Sequence, residues 1–283
     1  MSVTFASGFR AAGVKAGISA VAGKKDLALV VNDGPLDVAA GVFTPNRFCA
    51  APVQWSRAAV ADGHVKAVIL NSGGANACTG QPGYRQSEQT AQTVASLLGV
   101  PADEVAVCST GLIGELLPLD HVLAGARAAY QALDDTAQAG ADASHAIMTT
   151  DTKAKTVTLE GSNGWKLGGM VKGSGMIAPQ LATMLCVITT DAVVDPALAR
   201  EALSAGTETS FNRIDVDGCQ STNDTVLLLA SGASGVTADP SEFKTLVARA
   251  CASLARQIVG DGEGASHDIR ITVAGATSEE AAL

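Results

Sequence analysis

The stretch from Lys172 to Asp191, KGSGMIAPQLATMLCVITTD, decides the expected fold of this chain. Its second half contains the continuous apolar run Met184 to Ile188, which is short and ends at two threonines and an aspartate. Such a run predicts a buried β-strand. Glycines precede the run, so we expect Thr183 at the mouth of a rigid core strand, where a reactive hydroxyl has a fixed support.

The chemistry of Thr183 depends on the peptide bond between Ala182 and Thr183. A threonine hydroxyl within a chain is a weak nucleophile, whereas an N-terminal threonine carries an α-amine that can act as the general base. An unperturbed α-amine titrates near pH ~8, so a useful fraction is uncharged at neutral pH. The alternative is that Thr183 is an ordinary β-branched residue at a strand end, because short motifs alone indicate function weakly.

The composition excludes several classes of function. With 283 residues, 47% of them hydrophobic and 17% charged, the chain can bury a substantial core in one large or two smaller domains. Its net charge of −9 and its lack of a basic run argue against nucleic acid or an anionic membrane as partner. We expect a cytoplasmic protein, because the sequence shows no signal-peptide pattern and no run of about 18 apolar residues.

The six cysteines and four histidines do not have metal-site spacing. There is no Cys-x-x-Cys pair, and in a cytoplasmic chain such cysteines are expected to be reduced and largely buried thiols. Zinc requires clustered ligands, which are missing here. The phosphate-loop pattern Gly-x-x-x-x-Gly-Lys-Ser/Thr is missing as well. We therefore expect neither a metal nor a tightly held nucleotide.

Strand and helix patterns alternate along the chain and predict an α/β protein. Apolar runs typical of strands occupy residues 27–31, 38–43, 67–70, 104–108, 165–171, 184–188, 226–230 and 269–273. Helical patterns occupy residues 86–98, 118–133, 195–205 and 242–258.

Two glycine-containing polar segments directly follow predicted strands. Residues 71–76 form either a tight connection or a backbone surface that a ligand can approach closely. Residues 109–114 include Thr110 and Gly111, where a hydroxyl and a backbone N–H can face the negative charge that develops during acyl transfer. On the pattern alone, a strand turn ended by glycine is the favoured explanation of the second segment.

Three further polar sites are candidates for ligand contacts. Residues 149–152, Thr-Thr-Asp-Thr, suit a small polar ligand, or they are ordinary threonines at a strand edge. Residues 215–225 resemble a calcium loop superficially but lack its acidic spacing and closing glutamate. We interpret them as an active-site wall or a solvated turn. Glu263 lies between two glycines after the last long helix.

The end of the sequence begins a helix without continuing it. Residues 277–280, Thr-Ser-Glu-Glu, form a capping-box signature. About one helical turn follows, whereas an isolated helix needs on the order of 12 residues. We expect a truncated chain or a disordered end.

Taken together, these segments resemble the ornithine acetyltransferase family of arginine biosynthesis, the ArgJ family. The resemblance covers essentially the whole chain and rests on the motifs NSGGANACTG, CSTGLIGELLP, AIMTTDT, KGSGMIAPQLATML, STNDT and DGEGAS. So many collinear motifs are far more specific than any one of them. They imply a layered αββα-type sandwich, like that of the related DmpA proteins.

The resemblance also implies a self-processing acetyltransferase. Cleavage between Ala182 and Thr183 would give an α-chain portion, residues 1–182, and a β-chain portion, residues 183–283, which stay together as an α2β2 heterotetramer. Thr183 would take the acetyl group of N2-acetyl-L-ornithine and pass it to L-glutamate in a ping-pong reaction. No cofactor or metal is implied, although some members also accept acetyl-CoA as a co-substrate.

The same resemblance assigns roles to individual residues. Thr110 and Gly111 match the oxyanion-hole pair of the family. Four positions match substrate-contacting positions of the family: Thr183, one of Thr149 and Thr150, Lys172 and Glu263. A lysine near the nucleophile can neutralise a substrate carboxylate or favour the uncharged amine.

The sequence departs from the family pattern in two places. Family members continue with a Gly-x-Asp-Pro-Asn-Trp-Gly-Arg-like segment and with C-terminal residues that complete the substrate pocket, so we expect this chain to lack that part. His267 also stands where a lysine is usual. Two alternative functions stay open: an N-terminal-nucleophile aminopeptidase or amidase with water as acyl acceptor, and a non-catalytic, unprocessed remnant that binds acetylated amino acids or partner subunits.

Overall fold

Two β-sheets form the centre of the protein. The computed structural model describes residues 2–181 and 184–282, and nine strands occur in this part of the chain. The strands are β1 (Phe9–Val14), β2 (Leu27–Asn32), β3 (Val38–Phe43), β4 (Ala67–Gly74), β5 (Val105–Leu112), β6 (Lys155–Glu160), β7 (Lys166–Lys172), β8 (Leu185–Thr190) and β9 (Thr225–Ala230).

Each sheet combines parallel and antiparallel pairs. Sheet A has the strand order β1-β2-β4-β5, and sheet B has the order β3-β9-β8-β7-β6. The pairs β4–β5 and β8–β9 are parallel, and the other neighbours are antiparallel. Leu185 pairs with Lys172 on one side and with Thr225 on the other. The start of β8 therefore lies between the end of β7 and the start of β9.

Seven α-helices accompany the two sheets in the described part of the chain. They are α1 (Ala51–Ala59), α2 (Gly80–Leu98), α3 (Leu119–Gln131), α4 (Ala137–Ala146), α5 (Pro196–Glu208), α6 (Pro240–Val259) and the short α7 (Glu279–Ala282). Polar residues begin three of them. Thr136, Asp195 and Asp239 each accept a hydrogen bond from a backbone N–H at the start of α4, α5 or α6, which satisfies a donor that the helix leaves unpaired.

Apolar side chains fill three layers. Val68 and Leu70 of β4 and Val187 of β8 pack between the two sheets. Ile69 faces the other way, beneath α2 and α3. On the far side of sheet B, Ile188 packs beneath α5 and α6. Because both faces of these strands are buried, they are continuous apolar runs in the sequence. The αββα-type layering expected from the sequence is confirmed.

Most of the predicted elements are present in the structure. β8 begins one residue later than the predicted run and extends through both threonines to Thr190. The long predicted helices correspond to α2, α3, α5 and α6. The sequence patterns do not reveal α1, α4, β1 and β6, which are short and in part rich in alanine and glycine.

The two glycine-containing segments after β-strands need a correction. Residues 71–74 and 109–112 are not turns but the last residues of β4 and β5, which pair with each other in parallel. Polar residues are accommodated in these strands because their side chains have partners. Asn71 accepts a hydrogen bond from Ser109 at 2.6 Å, and Ser72 donates to the carbonyl of Ala146 at 2.8 Å.

The predicted strand at residues 269–273 is wrong. This segment is coil, and its alternating apolar side chains are exposed, by 83% at Ile269 and 85% at Ile271. Alternation predicts a strand only where another strand pairs with it, and the described residues supply none. The expected single helical turn at the end does form as α7, where Ser278 accepts a hydrogen bond from the N–H of Ala281.

Among the described helices, none combines the length and the apolar character needed to cross a bilayer. All six cysteines are free thiols, and three of them, Cys108, Cys186 and Cys251, are buried.

Candidate active site

The carboxyl ends of β4 and β5 meet the start of β9 across the two sheets, and one side chain joins them. Asn223, which is buried just before β9, donates hydrogen bonds to the carbonyls of Ala75 at 2.7 Å and Ser109 at 2.8 Å. Thr222 donates to the Asn223 Oδ1 at 2.6 Å, which fixes the orientation of the amide. This bridge places the end of sheet A beside the start of the central strands of sheet B.

Thr110 and Gly111 lie together at this junction, at the end of β5. The Thr110 side chain is buried, and its Oγ1 accepts a hydrogen bond from Lys172 Nζ at 3.3 Å. That bond uses an oxygen lone pair, so the hydroxyl hydrogen is free to point at a substrate oxygen. Gly111 has φ +132°, and a Cβ there would lie 2.4 Å from the carbonyl carbon of Gly73, so only glycine fits.

Lys172 is the buried cation of the site. It ends β7, is 2% exposed, and its Nζ lies 3.9 Å from the Asp151 Oδ2. Burial lowers the pKa of Lys172 to about 8, although the carboxylate of Asp151 acts in the opposite direction. A fraction of this lysine is therefore neutral near physiological pH.

A buried ion network supports Lys172. Lys155, which is fully buried in β6, lies 2.6 Å from the Asp151 Oδ1 and 2.5 Å from the Asp261 Oδ2. The N–H of Gly173 also donates to Asp151, at 2.7 Å, and Thr152 donates to Asp261. The network ties the end of α6 to the strands that carry the site.

The charges in this network explain its protonation. Burial acts to raise the pKa of Asp151, but Lys172, Lys155 and the N–H of Gly173 more than offset it, so that the pKa lies below its usual value. Asp261 behaves in the same way: burial raises its pKa, and hydrogen bonds from Lys155 and Thr152 lower it further than burial raises it. Both carboxylates are therefore ionised at neutral pH.

No local sequence pattern predicts this network. Lys155 and Asp151 are four residues apart, but they are in a strand and the loop before it, so no helical spacing marks them as a pair. Asp261 is more than one hundred residues away along the chain. Only the fold brings the three side chains together.

Glu263 lies beside the glycine-containing segment 173–177, which follows Lys172 and is called the entrance segment below. Its N–H donates to the carbonyl of Ser174 at 2.8 Å, and Ser174 donates to the carbonyl of Asp261 at 2.7 Å. A Cβ on Gly175 would lie 2.6 Å from the Glu263 Oε2, so the glycine leaves room for this exposed carboxylate. Glu263 is thus an anionic group beside the entrance.

The acidic loop at residues 215–225 anchors a neighbouring segment, residues 176–177, and also contains a local turn. Asp217 accepts hydrogen bonds from the backbone of Met176 at 2.6 Å and of Ile177 at 2.9 Å, which anchors the entrance segment. Asp215 is exposed and closes a local turn by accepting from Gly218. The interpretation as a solvated turn applies to Asp215, and the interpretation as an active-site wall stays a prediction.

The two candidate threonines at residues 149 and 150 have different environments. Thr149 is half-buried, and its N–H donates to the Asp151 Oδ2 at 3.0 Å. Thr150 is exposed. On the opposite side, Lys24 donates to the carbonyl of Met148, so a second lysine lies close to this segment.

Ala182 and Thr183, the predicted cleavage site and nucleophile, lie outside the described residues. The chain on both sides is buried, at Leu181 and at Met184. Met184 N–H donates to the Asp224 Oδ1 at 3.1 Å, and Met184 O accepts from the N–H of Thr225 at 3.1 Å. The residue after Thr183 is thus fixed between β7 and β9, where Lys172 and Asp224 lie.

Comparison with known proteins shows which proteins this chain is similar to. The arginine biosynthesis bifunctional protein ArgJ of Bifidobacterium longum is 78% identical over 283 residues, which cover 100% of this chain and 72% of that protein. The crystal structure of ornithine acetyltransferase from Mycobacterium tuberculosis, complexed with ornithine, is 50% identical with a TM-score of 0.62 and covers 65% of this chain and 96% of that one.

A more distant structure shares the fold alone. The L-aminopeptidase/D-Ala-esterase/amidase of Ochrobactrum anthropi, described as a variant of the Ntn-hydrolase fold, is 10% identical, with a TM-score of 0.55 over 92% of this chain and 86% of that one. The sequence profile of the ArgJ family matches residues 10–283. With this match and the 78% identity to a curated relative, the chain belongs to the ArgJ family.

Proposed function

We propose that this ArgJ-family chain is an acetyltransferase that moves the acetyl group of N2-acetyl-L-ornithine to L-glutamate through an ester on Thr183. The acyltransferase class follows from the family, and the name of the M. tuberculosis relative, ornithine acetyltransferase, supports a donor related to ornithine. The observation that carries the proposal is the position of Lys172 and Thr110 beside the start of β8, which begins two residues after Thr183.

The proposal begins with cleavage of the bond between Ala182 and Thr183. The two resulting portions, residues 1–182 and 183–283, would stay together because the cut falls between neighbouring strands of one sheet. β7 of the first portion pairs with β8 of the second, and β3 pairs with β9. Two such pairs of portions would form the α2β2 assembly.

In the first half of the reaction, the α-amine of Thr183 takes the proton of its own hydroxyl, and Oγ1 attacks the acetyl carbon of the donor. Negative charge develops on the acetyl oxygen. The Thr110 hydroxyl and the Gly111 N–H are the proposed donors to that oxygen, and Lys172 increases the acidity of the Thr110 hydroxyl by donating to it. The C–N bond then breaks, and ornithine leaves with the proton.

In the second half, the amine of glutamate attacks the acetyl ester through the same steps in reverse. The site contains charges of both signs that suit the two substrates. Lys172 can attract a substrate carboxylate. Thr149 is close to Lys172, because the N–H of Thr149 and the Nζ of Lys172 both face the Asp151 Oδ2. Glu263 is exposed beside Gly175 of the entrance segment, and its carboxylate suits the side-chain ammonium of ornithine. Thr150 is exposed as well. No metal or prosthetic group enters this scheme, and acetyl-CoA is a second possible acetyl donor.

Intact mass measurement under denaturing conditions tests the proposal. We expect two fragments, the second beginning at Thr183, and an increase of one acetyl group on that fragment after incubation with N2-acetyl-L-ornithine. Glutamate should remove the acetyl group and yield acetylglutamate. Free acetate without acetylglutamate would instead favour the amidase alternative. An uncut chain that gains no acetyl group would favour the non-catalytic alternative.

A further inference from the structure

Lys24 is a half-buried lysine that has no role in the proposed transfer steps. It lies in the loop between β1 and β2, and its Nζ donates one hydrogen bond, to the carbonyl of Met148. An ammonium group has three donors, so two of them have no partner among the described residues. Burial lowers the pKa of Lys24, and the charges of Asp26 and Asp151 act in the opposite direction without forming an ion pair with it. A bound anion would therefore offset the cost of burying this ammonium group.

The loop that carries Lys24 is fixed against the ends of β4 and β5. The buried carboxylate of Asp26 holds the loop by accepting three backbone N–H hydrogen bonds, at 2.6 to 2.8 Å, from Ala16, Ile18 and Ser19. A Cβ on Gly73 would lie 2.8 Å from the Ser19 Cα, so the loop contacts the end of β4. Gly73 is paired with Gly111 of β5. The loop therefore borders the candidate active site.

One peptide group connects Lys24 to the surroundings of Lys172. The carbonyl of Met148 accepts from Lys24, and the N–H of the same peptide group, which belongs to Thr149, donates to the Asp151 Oδ2 at 3.0 Å. The Lys172 Nζ lies 3.9 Å from that oxygen. The carbonyl and the N–H of a trans peptide point in opposite directions, so Lys24 is on one side of this group and Asp151 is on the other, with Lys172.

The two proposed substrates carry opposite charges at the ends of their side chains. Ornithine ends in an ammonium group, and glutamate ends in a carboxylate. Both occupy the same site in turn, because both transfer steps use the same nucleophile. The carboxylate of Glu263 suits the side chain of ornithine but repels that of glutamate. The site therefore needs a further cation for the acceptor.

We propose that Lys24 binds the side-chain carboxylate of the glutamate acceptor, while Lys172 attracts its α-carboxylate. The inference rests on the proposed function and names the group that recognises the acceptor. Lys172 donates to Thr110, the proposed oxyanion donor, so it is close to the acetyl group that the α-amine attacks. Lys24, on the other side of the peptide group that joins residues 148 and 149, suits the far end of the substrate.

The neighbouring lysines are less suited to this role than Lys24. Lys155 is fully buried and already pairs with two carboxylates. Lys25 is the next residue along the chain, but its Nζ pairs with Asp142 of α4 at 2.5 Å. Lys153 is exposed and forms no hydrogen bond or ion pair with the described residues. A fully hydrated lysine of this kind binds an anion weakly.

Steady-state kinetics with each substrate tests the inference. In a ping-pong reaction, kcat/KM for each substrate reports its own half of the reaction. Lys24→Met keeps the length of the side chain and removes the charge. It should lower kcat/KM for glutamate roughly 10- to 100-fold, as expected for the loss of a hydrogen bond to a charged group. The value for N2-acetyl-L-ornithine should not fall, because the side chain of this donor is itself a cation.

Glutamine as acceptor separates recognition of the carboxylate from a structural effect. Its side chain has the shape of the glutamate side chain without the charge. The wild type should prefer glutamate, and Lys24→Met should lose most of this preference. Lys24→Arg keeps the charge and should lose less of it. A substitution that only disturbs the loop would lower kcat/KM equally for both acceptors, which would overturn the inference.

Two other lysines of this region are matched controls. Lys25→Met and Lys153→Met each remove one positive charge, as Lys24→Met does, but from a side chain that has no role in the proposal. Both should keep the wild-type kcat/KM for glutamate. A loss in either control as large as that in Lys24→Met would show that only the overall charge matters, and it would overturn the assignment to Lys24.

The remaining outcomes separate this inference from the proposed function. An unchanged kcat/KM for glutamate in Lys24→Met, or a wild type that accepts glutamine as well as glutamate, overturns the role of Lys24 and leaves the acetyltransferase proposal intact. The comparison in the wild type decides if circular dichroism shows that Lys24→Met does not fold. A wild-type chain that forms no acetyl ester from N2-acetyl-L-ornithine refutes the proposed function together with this inference.

Discussion

The Lys172 Nζ lies 3.3 Å from the Thr110 Oγ1, although Lys172 ends β7 in sheet B and Thr110 lies near the end of β5 in sheet A. A hydrogen bond between two sheets forms only when both are folded and packed against each other. It also orients a hydroxyl that is buried near the end of β5. The candidate oxyanion donor therefore depends on tertiary structure, not on its own strand alone.

Replacing Thr110 with valine tests its role as oxyanion donor. Thr110→Val keeps the shape of the side chain but removes the hydroxyl, and loss of one such donor typically lowers kcat by about 10²–10³. The measurement is steady-state transfer of acetyl to glutamate. Thr158→Val, on an exposed position of β6, is the matched control and should keep kcat. An unchanged kcat in Thr110→Val would remove Thr110 from the mechanism.

The close approach of Gly111 to Gly73 predicts a large difference between two glycines at the end of β5. Gly111→Ala places a Cβ 2.4 Å from backbone, whereas Gly114→Ala meets nothing within 4 Å, although both have positive φ. We expect Gly114→Ala to cost about 1 kcal/mol through backbone strain. Gly111→Ala should cost clearly more. Urea unfolding measures both, and equal losses would contradict the packing argument.

The buried ion network predicts a strong effect at Lys155. Lys155→Met leaves the carboxylates of Asp151 and Asp261 without their shared cation, and breaking a buried pair costs about 3–5 kcal/mol. Lys244→Met, which removes an exposed ion pair with Glu201, should cost less than about 1 kcal/mol. Denaturant unfolding of the two variants compares them directly. A small loss in Lys155→Met would show that the network contributes little to stability.

The raised pKa of Asp224 predicts a pH-dependent gain in stability on its removal. Because burial raises its folded-state pKa from 3.8 to about 7, the stability that Asp224 contributes is fully present below pH ~4 and is lost as pH rises toward ~7. The free energy of unfolding of Asp224→Asn, measured relative to that of the wild type, should therefore be higher at pH 8 than at pH 4. The difference between the two pH values should be roughly 4 kcal/mol at most. Both chains should carry Thr183→Ala, so that neither is cut. A difference that does not change between these pH values would contradict the burial argument.

Thr183→Ala should remain a single chain of 28.4 kDa and transfer no acetyl group, because the hydroxyl is needed for cleavage and for transfer. Thr209→Ala, at the exposed end of α5, is the control and should be cut as the wild type is. Mass spectrometry under denaturing conditions gives the answer. Cleavage in Thr183→Ala would mean that another residue is the nucleophile.

The sequence predicts the central part of this fold well. β8 and β9 are buried on both faces, so their apolar runs are continuous and easily recognised. The long helices α2 and α6 have a clear apolar stripe, and a glycine follows each of them. Motif resemblance also points to Thr110 and Lys172, which the structure brings into contact.

The parts that the sequence does not predict depend on distant partners. Residues 71–74 are polar and glycine-rich, yet they continue β4 because β5 pairs with them. Residues 269–273 alternate as a strand does, but no neighbour pairs with them among the described residues. No local motif marks Asp261 or Asp224, because their hydrogen-bond partners lie far away along the chain. Asp261 accepts from Lys155, and Asp224 accepts from the N–H of Met184.

The hydrogen bonds of the Asn223 amide bear on when the proposed cleavage can occur during folding. This single side chain holds the ends of β4 and β5 against the start of β9, and Asp224 is the next residue. A chain whose two sheets have not yet packed against each other lacks this amide bridge. On this view the proposed cleavage before Thr183 requires that the two sheets have packed together. It therefore occurs once in each molecule, and chains that have not finished folding stay uncut and inactive.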